Sequence, residues 1–346
     1  MPNDNAAVLA RTTGRLQNLS RLWPGLLLCS GVAVVAWQCG RWLPLVGGPV
    51  FGIVLGVIVR NVLRPPAVCN TGIRFAGKQI LCYSIVALGL GLSLTQVAHT
   101  GLNSLSVTAV TITTAFMAAW ALGRLLHIPS RLKLLIGVGT AICGGSAIAA
   151  VTPIIKAEEH ETAFAISTIF LFNLIAVLLF PPLGHLMGMS NHGFGLWAGT
   201  AINDTSSVVA AGFSYSNAAG NFATIVKLTR ATLIIPVCLG LALIEAWRHK
   251  RGGDASFKLY RVFPWFILWF VVASAIRTAG WIPAGWHAGI HDLALFLIIV
   301  ALAGIGLASD LRRMKSTGLR PIALGFGVWV AVAVSSLAVQ LVTGQL

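Results

Sequence analysis

Long apolar stretches separated by short polar connections run from Leu22 nearly to the C-terminus. Most have close to the roughly 20 residues that a helix needs to cross the hydrocarbon core of a bilayer. They lack the alternating apolar and polar positions of barrel strands, so the pattern predicts an all-α polytopic membrane protein. Eleven spans are predicted, at about residues 22–39, 43–59, 78–96, 103–125, 133–157, 162–187, 194–213, 222–247, 261–280, 290–309 and 319–343. The polar residues 1–21 are predicted to form a cytoplasmic segment, and residues 22–346 a single transmembrane domain.

Composition agrees with this pattern and excludes other classes. Hydrophobic residues make up 57% of the chain and charged residues 10%, whereas a soluble domain carries about 25% charged residues. The net charge of +15 does not indicate nucleic-acid binding, because the lysines and arginines lie in the connections between apolar segments. The six cysteines show no C-x-x-C spacing, so no disulfide framework is predicted. No metal or cofactor is predicted either.

The basic residues also predict an orientation. With the N-terminus in the cytoplasm, 19 of the 24 lysines and arginines fall in cytoplasmic segments, and Arg41, Lys156 and Arg277 fall on the other side. The remaining two, Lys227 and Arg230, lie within the eighth span. Cytoplasmic loops of membrane proteins carry an excess of basic residues, so the N-terminus is predicted inside and the C-terminus outside.

Two pairs of similar segments suggest an internal repeat. Phe51–Asn61 resembles Phe194–Asp204, five spans later, and Leu88–Leu94 resembles Ala303–Ser309, seven spans later. Both offsets are odd, so equivalent helices would run in opposite directions. This is the pattern of an inverted-topology repeat, an architecture common among transporters, although the two matches place its boundary differently.

Adjacent Gly144 and Gly145 interrupt the fifth span. Each glycine weakens a helix by about 1 kcal/mol relative to alanine. Cys143 and Ser146 flank the pair. A helix broken here would leave the backbone amides of residues 146–148 unpaired at a helix N-terminus, which attracts anions. The alternative is close packing of two helices through small residues.

A polar run occupies the centre of the seventh span: Asn203, Asp204, Thr205, Ser206 and Ser207. Burying the carboxylate of Asp204 in the membrane costs at least about 3 kcal/mol, and such residues usually face a cavity or a partner. A functional role is therefore predicted for this run. The alternative is a structural ion pair between Asp204 and Lys227 or Arg230.

Lys227 and Arg230 are three residues apart and therefore share one face of the eighth span. Either they extend toward the membrane interface, or they point inward and supply positive charge to an anion site. The inward direction is favoured because Asp204 needs a counter-charge, and arginine binds oxyanions in a bidentate manner. One acid facing two bases leaves a spare positive charge, which favours an anionic substrate.

Three long motifs together resemble the YeiH-like family of bacterial inner-membrane proteins, which are labelled sulfate exporters. The motifs are T-A-I-C-G-G-S-A-I-A-A-V-T-P-I-I-K-A from Thr140, F-G-L-W-A-G-T-A-I-N-D-T-S-S-V-V-A-A-G-F from Phe194 and A-T-I-V-K-L-T-R from Ala223. The resemblance covers about residues 47–320. One departure is that the family pattern has His-Asp where this chain has Asn203–Asp204, which puts a proton-sharing scheme in doubt.

The resemblance implies kinship with transporters of the sodium/proton antiporter and bile-acid symporter type. That kinship implies two inverted five-helix repeats, two broken helices that cross at the substrate site, and a homodimer. It also implies a bacterial inner-membrane location and sulfate or a sulfonate as the substrate.

The predicted function is secondary active transport of a small anion by alternating access, with Asp204 carrying a coupling proton or sodium ion. The predicted site residues are Cys143, Gly144, Gly145, Ser146, Asn203, Asp204, Thr205, Ser206, Lys227 and Arg230. A cation/proton antiporter that uses Asp204 directly is an alternative, as is a channel or sensor. An enzyme is not predicted, because no span core holds a histidine to activate Ser146 and an aspartyl mechanism needs two acids.

Overall fold

The structure is a computed structural model that describes residues 4–43, 47–248, 264–310 and 318–345. Within these ranges every regular element is helical and no strand is present. The helices of the first part are α1 Asp4–Trp42, α2 Gly47–Val62, α3 Asn70–Phe75, α4 Leu81–Gly89, α5 Leu94–Leu125, α6 Ser130–Ala141, α7 Gly145–Val151 and α8 Glu159–Leu186. They are followed by α9 Asn191–Ala201, α10 Thr205–Tyr215, α11 Asn217–Thr232, α12 Ile234–Arg248, α13 Trp265–Thr278, α14 His287–Ala308 and α15 Leu319–Thr343.

Several of these helices have the length and apolarity of membrane spans. In the described residues six stretches qualify: 21–42, 94–125, 159–186, 217–245, 287–308 and 319–343. Two shorter apolar helices, α2 and α13, accompany them. At 1.5 Å per residue, the six long stretches each exceed about 30 Å, which is the thickness of the hydrocarbon core. The prediction of an all-helical polytopic membrane protein is therefore confirmed, whereas the count of eleven spans is not.

The chain divides into two compact units, of which the first contains residues up to Ile85 and Ala288–Asp310. Its helices pack through small residues. A Cβ atom added to Gly306 would lie 2.3 Å from the carbonyl oxygen of Ile53, and one added to Gly56 would lie 2.6 Å from that of Ala303. Contacts this close exclude any side chain, so glycine here lets α2 and α14 approach backbone to backbone.

The second unit contains Val86–His287 and the residues from 318 to 345. Three long helices, α5, α8 and α15, extend along it. The unit has two opposite ends, the Leu125 end and the His192 end. The Leu125 end holds the C-terminus of α5 and the start of α8, and the His192 end holds the start of α5 and the C-terminus of α8. Between these helices lie the two interrupted segments that the sequence singles out.

The first interrupted segment is a hairpin rather than a span. A Cβ atom added to Gly139 in α6 would lie 2.9 Å from Cδ1 of Ile148 in α7. A straight helix would separate two residues nine positions apart by about 14 Å along its axis. After α7, Thr152 Oγ1 lies 3.2 Å from Thr162 Oγ1 near the start of α8. The chain thus enters from the Leu125 end, turns at Ile142–Gly144, and returns to the same end.

The second interrupted segment, α9 and α10, forms a hairpin that enters from the His192 end. The hydroxyl of Tyr215 donates to the carbonyl of Met189, and the hydroxyl of Ser216 donates to Asn191 Oδ1 at 2.7 Å. The rings of Phe194 and Tyr215 stack with centroids 4.0 Å apart. A straight helix would separate residues 191 and 216 by about 37 Å. The prediction that segments 133–157 and 194–213 cross the membrane is therefore wrong.

The corrected topology makes a testable prediction about accessibility. Eleven spans would place Lys156 and Ser216 on the same side of the membrane and Asn191 on the other. The two hairpins instead place Ser216 with Asn191 and put Lys156 on the opposite side. If the N-terminus is cytoplasmic, as the basic residues predict, we expect Lys156→Cys to be protected from an impermeant maleimide that labels Ser216→Cys and Asn191→Cys in intact cells, with the unsubstituted protein as the background. Equal labelling of Lys156→Cys and Ser216→Cys would restore the eleven-span topology.

Candidate functional site

The turn of the first hairpin is built around a glycine that no other residue replaces without strain. Helix α6 ends at Ala141, and Gly144 has φ 68° and ψ −129°, a backbone conformation that L side chains rarely adopt. Cys143 and Gly144 are buried, whereas Ser146 in the first turn of α7 is exposed. The amide of Ile148 was predicted to be unpaired. It instead donates to the carbonyl of Gly144 at 3.2 Å.

The turn of the second hairpin is capped by Asp204. Ile202 and Asp204 are extended, and the Asp204 carboxylate accepts hydrogen bonds from the amide and the hydroxyl of Ser206. Asp204 is thus the N-cap of α10, a role in which aspartate and asparagine are equally favourable. Its side chain is partly exposed, while Thr205, Ser206 and Ser207 are buried.

Asn173, in the middle of α8, holds this second turn in place. Its Oδ1 atom accepts from the amides of Asn203 and Asp204, at 3.2 Å each. Sequence reasoning missed this residue. The signal was a lone amide side chain in the middle of the sixth apolar stretch, where an unsatisfied polar group costs several kcal/mol.

The two turns meet in the middle of the second unit. A Cβ atom added to Gly144 would lie 3.3 Å from Cβ of Asp204. The predicted residues around Cys143–Ser146 and Asn203–Ser206 are therefore brought together, although they lie about 60 residues apart in the chain. Because the hairpins enter from opposite ends, the C-terminal ends of α6 and α9 converge on one region, to which Lys227 is also directed.

Lys227 joins the two turns through their backbone. Its Nζ donates to the carbonyl of Ile142 at 2.8 Å and to the carbonyl of Ile202 at 2.9 Å. These carbonyls lie at the C-terminal ends of α6 and α9, which carry partial negative charge. Lys227 is 0% exposed, so these bonds form away from solvent. One ammonium group thus satisfies an unpaired carbonyl at the end of each half-helix.

Arg230 completes the same arrangement on the first hairpin. Its Nε donates to the carbonyl of Ala141 at 2.6 Å and its Nη2 to the carbonyl of Thr140 at 2.9 Å. The side chain is fully buried, and Nη1 has no partner among the described residues. The inward direction predicted for Lys227 and Arg230 is confirmed, and extension to the interface is wrong.

The predicted electrostatic partner of these cations is different in the structure. Within the described residues, neither Lys227 nor Arg230 forms an ion pair with Asp204 at 4.0 Å or less. The basic side chains neutralise helix C-termini, and the carboxylate caps a helix N-terminus. The alternative of a structural ion pair is therefore not found among these residues, and the Asp204 carboxylate retains acceptor capacity beyond its bonds to Ser206.

The side chain of Asn203 is buried beside these turns without hydrogen-bond partners among the described residues. It is 1% exposed, and neither its Oδ1 nor its Nδ2 has a partner among the described residues. Burying an amide without hydrogen bonds costs roughly 2 kcal/mol or more. A buried side chain with both donor and acceptor free, beside the N-cap of α10, is suited to contact a polar ligand or water.

The glycine pair at the first turn provides a matched test of this geometry. Gly144→Ala is expected to lower the melting temperature, because the new Cβ would lie 3.3 Å from Cβ of Asp204 and the backbone at residue 144 would be strained by its positive φ. The expected destabilisation is about 1–3 kcal/mol. At Gly145, a new Cβ would meet only Phe170 Cε2 at 3.9 Å, so Gly145→Ala is expected to be tolerated. Equal melting temperatures for the two variants would contradict the assigned turn.

Comparison with known proteins identifies the family. The chain matches the family described as Conserved hypothetical protein 698 over residues 24–325. It is 41% identical to the UPF0324 membrane protein of Fusobacterium nucleatum over 341 residues, covering 92% of this chain and 98% of that protein. It is 45% identical to a UPF0324 membrane protein of Streptococcus pyogenes over 334 residues, covering 94% and 98%. These matches span nearly the whole of each protein. The chain therefore belongs to the UPF0324 family, and it is a multi-pass membrane protein.

Proposed function

We propose that this protein is a secondary active transporter that moves a small anion by alternating access. The observation that carries the proposal is the pair of hairpins that enter from opposite ends and meet at the fully buried Lys227. Interrupted helices whose ends meet near the midplane are a recurrent way to build a transport site, because they expose backbone and polar groups away from lipid. The resemblance to YeiH-like proteins supports sulfate or a sulfonate as the anion.

The charges around the turns favour an anion that binds together with a cation. Lys227 and Arg230 bring two positive charges into the interior, and Asp204 brings one negative charge next to the N-terminus of α10. An anion bound beside Asp204 would repel its carboxylate, so anion binding and protonation of Asp204, or sodium binding to it, would favour each other. This linkage supplies a route to proton or sodium coupling without the histidine that precedes the aspartate in the YeiH-like pattern.

The hairpins also strengthen the proposed orientation. They move the connection that contains Lys156 to the Leu125 end, which also holds Arg124 and Arg131. Arg41 and Arg277 then remain as the basic residues of the proposed outer side. Removing two spans keeps their number odd, so we place the N-terminus in the cytoplasm and the C-terminus in the periplasm of a bacterial inner membrane. A homodimer is proposed from the resemblance alone.

A cation/proton antiporter is the second candidate. The observation that favours it is the lack of an ion pair between Asp204 and either basic residue, which leaves the carboxylate free to bind a cation. In this function the basic pair would only hold the hairpins together.

Flux through purified protein in proteoliposomes distinguishes the candidates. We expect saturable uptake of sulfate or an aliphatic sulfonate that is accelerated by an imposed proton or sodium gradient. Sodium/proton exchange without anion flux would support the antiporter. Current that rises linearly with anion concentration, without saturation, would indicate a channel and overturn alternating access.

A further inference from the structure

A cleft of about 780 Å³ opens within the second unit at the His192 end. Its walls come from the first turns of α5, the start of α9, Phe222 of α11 and the end of α15. The residues that matter for its chemistry are Gln96, His99, Asn103, His192, Leu196 and Phe222. This cleft lies apart from the hairpin turns and contains none of the residues assigned to them.

The cleft is lined by uncharged polar groups that can donate hydrogen bonds, and it contains no acid. The start of α5 carries Gln96, His99 and Asn103 on neighbouring turns, where a lipid-facing helix would carry apolar residues. His192 faces them from α9, and its ring stacks on Phe222 with centroids 4.8 Å apart. None of the lining residues is aspartate, glutamate, lysine or arginine. The imidazole, amide and hydroxyl groups supply N–H and O–H donors for an anionic head group, and no lining carboxylate is present to attract a cation.

The floor of the cleft is apolar. Leu196 lines it, and behind Leu196 the buried side chains of Val107 and Val226 pack against it, with Phe222 at the edge. Val226 directly precedes Lys227, so this apolar layer includes the turn of α11 that carries Lys227. An inorganic oxyanion would leave most of the cleft unfilled, because pockets of about 300–1,000 Å³ enclose drug-sized organic ligands.

We propose that this cleft binds an organic anion with an apolar body, of the size of a small aryl sulfonate. The anionic head contacts His99, Asn103 and His192, and the apolar body lies on Leu196 and Phe222. The cleft then collects the substrate at the outer side before it reaches the turns. This last step rests on the proposed transport function, whereas binding in the cleft does not.

Binding of benzenesulfonate and of inorganic sulfate to the purified full-length protein in detergent tests the proposal by titration calorimetry. We expect the double variant His99→Leu/His192→Leu to bind benzenesulfonate about tenfold more weakly, because it loses two N–H contacts with the head group. His160→Leu, on an exposed side chain at the Leu125 end, is the matched control and should bind like the parent protein. Sulfate should bind the parent at least tenfold more weakly than benzenesulfonate, because it lacks the apolar body.

A second variant keeps the test decisive if the double variant folds poorly. Asn103 is exposed on α5, so Asn103→Asp should fold normally and weaken benzenesulfonate binding by placing a carboxylate in the cleft. Unchanged affinity in Asn103→Asp, or equal affinity of the parent for the two anions, would overturn the proposal. Benzenesulfonate binding in a protein that shows no flux in proteoliposomes would refute the proposed transport function but leave the binding site intact. Gradient-driven flux without benzenesulfonate binding would refute the binding site but leave the transport function intact.

Discussion

Replacing Lys227 with methionine is expected to unfold or severely destabilise the protein, more than the loss of a single surface charge does. Methionine matches the length of the lysine stem but donates no hydrogen bond to the carbonyls of Ile142 and Ile202. Each of these buried carbonyls would then lack a partner at a negatively charged helix end. The expected loss is about 2–5 kcal/mol, because removing one member of a buried charged arrangement leaves the others uncompensated.

Thermal unfolding of the purified protein, followed by tryptophan fluorescence, measures this loss. The matched control is Lys156→Met, since Lys156 is exposed in the connection between α7 and α8 and should change the melting temperature little. A Lys227→Met protein that keeps the parent's melting temperature but no longer binds the anion would contradict the structural role of Lys227. Lys227 would then contact the substrate instead of holding the hairpins.

Asp204→Asn is expected to fold normally and to lose gradient-driven flux by more than tenfold. Asparagine caps a helix about as well as aspartate, so the bond to the amide of Ser206 and the start of α10 should survive. What the substitution removes is the ionisable group, and with it the proposed binding of a proton or a sodium ion. Stability and coupling are therefore separated at one position.

The measurement is anion uptake in proteoliposomes with and without an imposed gradient. Asp204→Ala serves as the comparison, because it removes both the helix cap and the charge. It should therefore also lower the free energy of unfolding by about 1 kcal/mol, and with it the melting temperature. Full gradient-driven flux in Asp204→Asn would exclude Asp204 as the coupling group. Loss of stability equal to that of Asp204→Ala would show that the carboxylate is needed for folding.

The positions of both helix breaks could be predicted from the sequence, but the direction of the chain after each break could not. Gly144–Gly145 and Asn203–Asp204 are visible because glycine pairs and buried polar runs weaken a helix locally. Whether the chain then continues or turns back depends on contacts between distant residues. Tyr215 with Met189 and Thr152 with Thr162 decide it here, and hydropathy carries no information about such contacts.

The partners of the basic pair show a similar limit. The sequence indicated that Lys227 and Arg230 point inward, because a charge in a span needs a partner. The expected partner was a carboxylate, since side chains are the groups a sequence displays. The actual partners are backbone carbonyls, which every residue possesses and which become special only where a helix ends.

The bonds from Lys227 to both turns limit how the protein is expected to move. Either hairpin can separate from the other only by giving up its bond to the same ammonium group, which is fully buried. Independent swinging of two gates is therefore costly. A sliding, elevator-like displacement that carries both hairpins and α11 together would leave every one of these bonds intact.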